Sequence, residues 1–132
     1  MNYEIIKDKP PIWEKLKSIF PNADENHVAV TYGDKIYCKD DMTEDLLAHE
    51  LVHVKQQAEL WRDLWWYRYL SDPTFVYEME LEAYRKQLQV LNSKYKDRNK
   101  RYKLKLAVAH ILSGPLYNNN RKTLEVYNDL DI

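Results

Sequence analysis

The sequence has little of several features that mark common protein classes. Its 132 residues include one cysteine, Cys38, and two glycines. No apolar run approaches the length of about twenty residues that a transmembrane helix needs. A single cysteine excludes a disulfide framework or a cysteine-based zinc ribbon within one chain, so we expect Cys38 to be a small core or strand residue. The net charge of -1 provides no overall attraction to nucleic acid or to an anionic membrane.

The composition is that of one globular unit. The length suits a single domain over residues 1–132, and 45% apolar with 31% charged residues is typical of a folded chain. The N-terminal stretch MNYEIIKDKPPIW has acids and prolines where a signal peptide needs a basic start and a continuous apolar stretch, so we expect a cytoplasmic protein. Eleven tyrosines and four tryptophans predict a compact body with aromatic-rich walls.

The residue patterns predict a helix-dominated α+β domain with a small β-hairpin before its central helix. Apolar spacing, prolines and capping residues predict helices at about 12–20, 44–60, 61–69, 73–91 and 101–112. β-Branched and aromatic residues on both sides of Gly33-Asp34 predict a tight hairpin with strands at about 27–32 and 35–38. Asp41 or Thr43 is the predicted N-cap of the helix at 44–60. Because the last helix becomes apolar all round at 106–112, its end should be buried.

The central helix carries the motif with the clearest chemistry, in the stretch LLAHELVHVKQQ. His49 and His53 are four residues apart, so on a helix both imidazoles can reach one ion, with Glu50 on the flank. A zinc hydrolase needs this arrangement of two histidine ligands, a third ligand, an open position for water and a carboxylate base. The apolar stripe of Leu47, Leu51 and Val54 should pack into the core. We therefore expect His49 and His53 to bind Zn²⁺ and Glu50 to act as the base.

The third ligand must come from elsewhere in the chain. One branch of the zincins has a glycine three positions and a third histidine six positions after the second histidine of the motif. This branch is excluded, because the corresponding residues here are Gln56 and Glu59. Three glutamates follow downstream, and a projection at about 100° per residue turns Glu80 toward the apolar face of its helix and leaves Glu78 and Glu82 further out. A carboxylate that faces a core needs a charged partner, which a dication would supply. The alternative partner for Glu80 is a lysine or arginine.

These residues resemble the gluzincin metallopeptidases, in which a glutamate of a second helix, in a Glu-x-x-Ala pattern, completes a His-Glu-x-x-His site. Glu80-Leu81-Glu82-Ala83 has that pattern, and the resemblance covers residues 27 to 91, similar to small minimal zincin domains of bacteria and phages. It implies that His49, His53 and Glu80 are zinc ligands and that Glu50 is the catalytic base. The aspartate that many gluzincins place four residues after the ligand glutamate is Tyr84 here.

Two alternatives for the site stay open at the level of sequence. Tyr84 is either a catalytic residue that hydrogen-bonds a ligand or the oxyanion, or a core tyrosine. Glu78, with Glu82 one turn on, matches a Glu-x-x-x-Asp arrangement of other gluzincins and is the second choice for the third ligand. His27 and His110 could contribute near the site, although a histidine at a strand start and a core histidine are the more common roles.

The function that we expect is a zinc-dependent peptidase acting on a peptide or protein, with no membrane partner. An extended substrate would pair with the strand at 35–38, or with 27–32 if the hairpin order reverses, and the aromatic segment 61–69 would wall the cleft. The competing hypothesis is a non-catalytic zinc-binding module, or a module that binds nucleic acid or protein through residues 94–105. That segment holds seven lysines and arginines against one acid, although a solvated helix face is its more common meaning.

Overall fold

The computed structural model describes residues 2–132 and confirms a helix-dominated α+β fold. The three strands are β1 (Glu4–Ile6), β2 (Val30–Tyr32) and β3 (Lys35–Tyr37). The α-helices of the described residues are α1 (Trp13–Ile19), α2 (Glu44–Leu60), α3 (Arg62–Ser71), α4 (Pro73–Lys94), α5 (Arg98–Ser113) and α6 (Thr123–Leu130), with a short 3-10 turn at Pro115–Tyr117. None of the helices among residues 2–132 has both the length and the apolar character that crossing a membrane requires.

The strands form one sheet in the order β1-β3-β2. β2 and β3 make the predicted hairpin, in which Gly33 has a φ of +69°, a conformation that glycine adopts without a steric penalty. β1, which the sequence patterns did not predict, pairs in parallel with β3. Because β3 lies in the centre and is paired on both sides, 35–38 is not the open edge, and of the two predicted edge strands the alternative at 27–32 is the one at an edge. The open edge next to α2 belongs to β2.

Three element boundaries differ from the sequence prediction for local reasons. The strand predicted from residue 27 begins only at Val30, because Asp24 accepts backbone hydrogen bonds from His27 and Val28 and holds them in a turn. The helices predicted at 73–91 and 101–112 are separated by residues 95–97 alone, since α4 continues to Lys94 and Asp97 caps α5 by accepting from Asn99 N–H. α4 begins at Pro73, the predicted first residue, and Asp72 caps it by accepting hydrogen bonds from the backbone N–H groups of Thr74 and Phe75.

The core consists of two hydrophobic clusters that meet along α4. The first joins α1, β2, α3 and the start of α4, and the second joins the rest of α4 to α5 and α6. Cys38 is buried, as expected. The end of α5 is buried only on one side: Val108, Ala109 and Leu112 are buried, whereas His110 is exposed and Ile111 is 45% exposed. His110 is therefore not a core histidine.

The central helix α2 buries polar residues rather than the predicted apolar stripe. Leu47 and Leu51 are only half-buried, and Val54 is the one member of that stripe in the core. The buried face instead carries five polar side chains, which are His49, Glu50, His53, Gln56 and Gln57. Burial of polar groups is costly unless each group finds a partner, so this face must hold a connected network.

The junction between α2 and α3 places Trp61 in a strained backbone conformation. Trp61 has φ 86° and ψ 129°, and its side chain is 72% exposed. A non-glycine residue at positive φ lowers the stability of the folded state by about 1–3 kcal/mol. Glycine removes this strain, but its greater freedom in the unfolded chain lowers stability by about 0.5–1 kcal/mol. Trp61→Gly should therefore raise the free energy of unfolding by about 1 kcal/mol, measured by urea denaturation.

The control for this prediction is Tyr67→Gly. Tyr67 is 70% exposed but lies inside α3, where glycine lowers stability by about 0.5 kcal/mol relative to tyrosine. A Trp61→Gly variant that is destabilised as much as Tyr67→Gly would show that the backbone at residue 61 carries no strain.

Candidate metal centre

The structure brings His49, His53 and Glu80 together at the interface of α2 and α4. Nε2 of His49 lies 3.1 Å from Oε1 of Glu80, and Nε2 of His53 lies 3.2 Å from the same oxygen. One ligand atom of each residue lies within 4.8 Å of the other two, and all three residues are buried. Glu78 and Glu82 are exposed. Of the three downstream glutamates, Glu80 is thus the one that lies beside the histidines.

The electrostatics of the cluster call for positive charge at its centre. Burial opposes ionisation of Glu80, but the charge of His53 and hydrogen bonds from both histidines hold its pKa well below the usual range. Burial by itself lowers the pKa of His53, but the charges of Glu80 and Glu50 and the hydrogen bonds to Glu80 and Gln56 together outweigh it and raise that pKa to about 9. In the metal-free protein a proton on the imidazole of His53 balances the negative charge of Glu80. A dication between the same atoms would replace that proton.

The Nδ1 atoms of the two imidazoles, which face away from Glu80, have the hydrogen-bond acceptors that metal-binding histidines need. Nδ1 of His49 lies 3.0 Å from Oε1 of Gln87, and Nδ1 of His53 lies 2.8 Å from Oε1 of Gln56. An amide oxygen only accepts hydrogen bonds, so both Nδ1 atoms carry protons, and the Nε2 atoms, which face Glu80, become the ligands once they lose theirs. Two neutral imidazoles and one carboxylate are a donor set that Zn²⁺ takes in hydrolytic sites. The residues present therefore fit zinc.

Glu50 lies beside the cluster without belonging to it. Its Oε2 is 3.7 Å from Nε2 of His49, and its Oε1 accepts a hydrogen bond of 3.0 Å from the hydroxyl of Thr31 on β2. Burial raises the pKa of Glu50 above its usual value. A carboxylate that is buried, close to a metal position and held from one side has the placement of a general base.

Of the two roles left open for Tyr84, the structure shows a buried tyrosine in the second core cluster. The hydroxyl of Tyr69, on α3, donates a 2.6 Å hydrogen bond to Oε2 of Glu80 and so orients that carboxylate. The hydroxyl of Tyr84 instead contacts that of Tyr117 at 3.2 Å, and the Tyr84 ring lies edge-on to His49 with 4.4 Å between ring centroids. Tyr84 thus packs against one histidine, while the hydrogen bond to Glu80 comes from Tyr69.

A cavity of about 300 Å³ opens beside the cluster. The side chains of His49, His53, Glu80 and Glu50 lie in its wall, and the rest of the lining is mainly apolar. Part of the predicted aromatic wall is present, since Trp65, Trp66 and Tyr69 line the cavity. His27 also borders the cavity, with its side chain 72% exposed and its Nδ1 3.1 Å from Asp40, whereas His110 lies exposed on α5.

Comparisons with protein-family models, with curated proteins and with solved structures give no match to this chain. The resemblance to gluzincins therefore stays a prediction, and support for a function comes from the geometry of the site.

Several residues of this network were not singled out from the sequence. Thr31, Gln57 and Gln87 are brought to the site by the tertiary fold, and no local pattern marks them, whereas Tyr69 was expected only as part of the aromatic wall at 61–69. Gln57 joins α2 to the hairpin: its amide donates to Thr31 O at 2.8 Å, and its Oε1 accepts from Gly33 N–H at 2.6 Å. The contact of Gln56 with His53 could have been predicted from the sequence, because a residue three positions after His53 lies on the same helix face.

Proposed function

We propose that the protein is a zinc-dependent peptidase with Glu50 as its general base. The observation that carries this proposal is the arrangement of four buried side chains. Three of them, His49, His53 and Glu80, converge on one point, and the carboxylate of Glu50 lies beside that point. A structural zinc site has four protein ligands and no use for a free carboxylate, whereas a hydrolytic site has three ligands, a water and a base.

The residues of the chain divide the chemistry between them. Zinc held by His49, His53 and Glu80 would supply Lewis acidity toward a peptide carbonyl and a lower pKa for water. Glu50 takes the proton of the attacking water and passes it to the leaving amine. The hydrogen bond from Thr31 holds Oε1 of Glu50, which leaves Oε2, the oxygen nearer His49, for proton transfer.

The substrate that suits this site is an extended peptide. Residues 28–31 line the cavity, and β2 is an edge strand, so a peptide can add to it by backbone pairing. Gln57 already binds the backbone at Thr31 and Gly33, at the C-terminal end of β2. The peptide would therefore pair with the residues of the strand that precede this end. The mainly apolar cavity then accepts one side chain of the peptide.

Metal analysis and chelation test the proposal directly. Purified protein should contain one zinc per chain and cleave members of a peptide library, and removal of zinc by a chelator should abolish cleavage, which added Zn²⁺ restores. Removal should also lower thermal stability, because a ligand at about 1,000 times its dissociation constant stabilises the folded state by about 4 kcal/mol. Cleavage that persists without metal would contradict the proposal.

The competing use of residues 94–105 as a binding surface has less support. Arg101 donates to the backbone carbonyls of Asn92 and Tyr95, Lys94 lies 2.9 Å from Glu44, and Lys105 contacts Ile132 O. These charges stabilise the helix ends and the fold itself. The segment is otherwise exposed, as a solvated helix face would be.

A further inference from the structure

Each of the two histidines is the end of a chain of hydrogen bonds between α2 and α4. From His49 the chain runs through Gln87, whose Nε2 donates to Oδ2 of Asp45 at 2.8 Å. From His53 it runs through Gln56, whose Nε2 donates to Oε1 of Glu82 at 2.6 Å. Both chains therefore have the order imidazole, amide, carboxylate.

The carboxylate at the end sets the direction of each chain. A carboxylate only accepts hydrogen bonds, so the amide NH₂ group must face it and the amide oxygen must face the imidazole. A neutral imidazole then carries its single proton on Nδ1, which leaves the lone pair of Nε2 to bind a metal. A residue that does not contact the metal can in this way determine which nitrogen is available as a ligand.

The two chains differ in how firmly the amide is held. The amide of Gln56 donates to Glu82 and also, at 3.1 Å, to the backbone oxygen of Met79, so two acceptors orient it. The amide of Gln87 donates to the carboxylate of Asp45. Within residues 2–132, the orientation of Gln87 thus depends on Asp45, one helical turn before His49 on α2.

We propose that Asp45 is a positioning residue that acts through Gln87 to keep Nε2 of His49 available for the metal. The inference rests on the proposed zinc site. If the amide of Gln87 turned over, its NH₂ group would face Nδ1 of His49. The single proton of the neutral His49 imidazole would then lie on Nε2, against Glu80, where it competes with the metal.

Asp45→Asn tests this role, because an asparagine side chain both donates and accepts and so no longer orients Gln87. The apparent affinity for Zn²⁺, measured by competition with a chelator of known affinity, should fall by about 10–100-fold, the range found for residues that support metal ligands. Circular dichroism should show an unchanged helical fold. The matched control is Glu44→Gln, which removes one negative charge from the same helix turn, where Glu44 pairs with Lys94. The control should retain wild-type affinity.

A double-mutant cycle separates a role through Gln87 from a direct effect of charge. Gln87→Met removes the acceptor without changing any charge, and should weaken zinc binding as much as Asp45→Asn. The double variant should be no weaker than either single variant, because both changes break the same chain. A second double variant, Asp45→Asn with Gln87→Glu, places a carboxylate against Nδ1 of His49 and an amide beyond it, and should recover most of the affinity.

The outcomes distinguish this inference from the proposed peptidase activity. Wild-type zinc affinity in Asp45→Asn, or additive losses in the cycle, would overturn the role of Asp45 even if the protein cleaves peptides. The expected losses in a protein that cleaves nothing would support the role of Asp45 and count against the peptidase. A wild-type protein that binds no zinc would overturn both.

Discussion

Glu50→Gln should leave zinc content and thermal unfolding close to those of the wild type and lower the rate of peptide cleavage by about 10²–10⁴, the typical contribution of a positioned general base. The variant keeps the shape of the side chain, and its amide oxygen can still accept the hydrogen bond from Thr31. Since burial already disfavours the charged form of Glu50, a neutral side chain costs the fold little. The amide cannot accept the proton of water.

The matched control for Glu50→Gln is Glu59→Gln. Glu59 lies on the same helix, is exposed and has Lys55 as its partner at 3.9 Å, so the variant makes the same chemical change away from the site. It should cleave at the wild-type rate. Cleavage by Glu50→Gln at the rate of Glu59→Gln would rule out the proposed mechanism. No cleavage by any form, despite full zinc occupancy, would favour the non-catalytic module.

Glu80→Gln is expected to have the largest effect on metal binding, with a loss of zinc affinity beyond the roughly 100-fold that the supporting residues reach. The variant removes the one anionic ligand. Its amide can donate to Nε2 of the histidines and accept from Tyr69, so it satisfies the same atoms that zinc would bind. The protein should therefore remain folded with the site empty, which zinc analysis and circular dichroism would show together.

Glu78→Gln is the control for this prediction. Glu78 lies two residues away on the same helix and is exposed, so its replacement should leave zinc bound. Glu82 is a poorer control, because its carboxylate accepts from Gln56 and so supports His53 indirectly. Loss of zinc in Glu78→Gln alone would show that the wrong carboxylate has been assigned as the third ligand.

The helical periodicity of the sequence was enough to predict the inward position of Glu80. Residues of one helix keep fixed angles to one another, so the apolar positions of α4 define which face is buried and which glutamate lies on it. The same periodicity places His49 and His53 on one face of α2. The bounds of α2 also agree with the prediction, since acids fill its first turn and the predicted N-cap candidate Thr43 immediately precedes it.

For the opposite side of α2, the prediction of burial from helical periodicity was wrong. An apolar stripe of Leu47, Leu51 and Val54 predicts that this side packs into the core, yet the polar side is the more deeply buried one. Burial of so many polar groups is possible only because α4 and β2 supply partners for them, among them Gln87 and Thr31. No single-helix pattern contains that information.

The sequence by itself thus determined the first five helices, though not α6, together with the hairpin and the spacing of the histidines, because these depend on residues close together in the chain. Only the tertiary structure decided that β3 lies in the centre of the sheet, that Tyr69 rather than Tyr84 donates to Glu80, and that Asp45 reaches His49 through Gln87. These contacts join residues of different elements. They follow from how the helices and strands pack against one another, which local propensity does not specify.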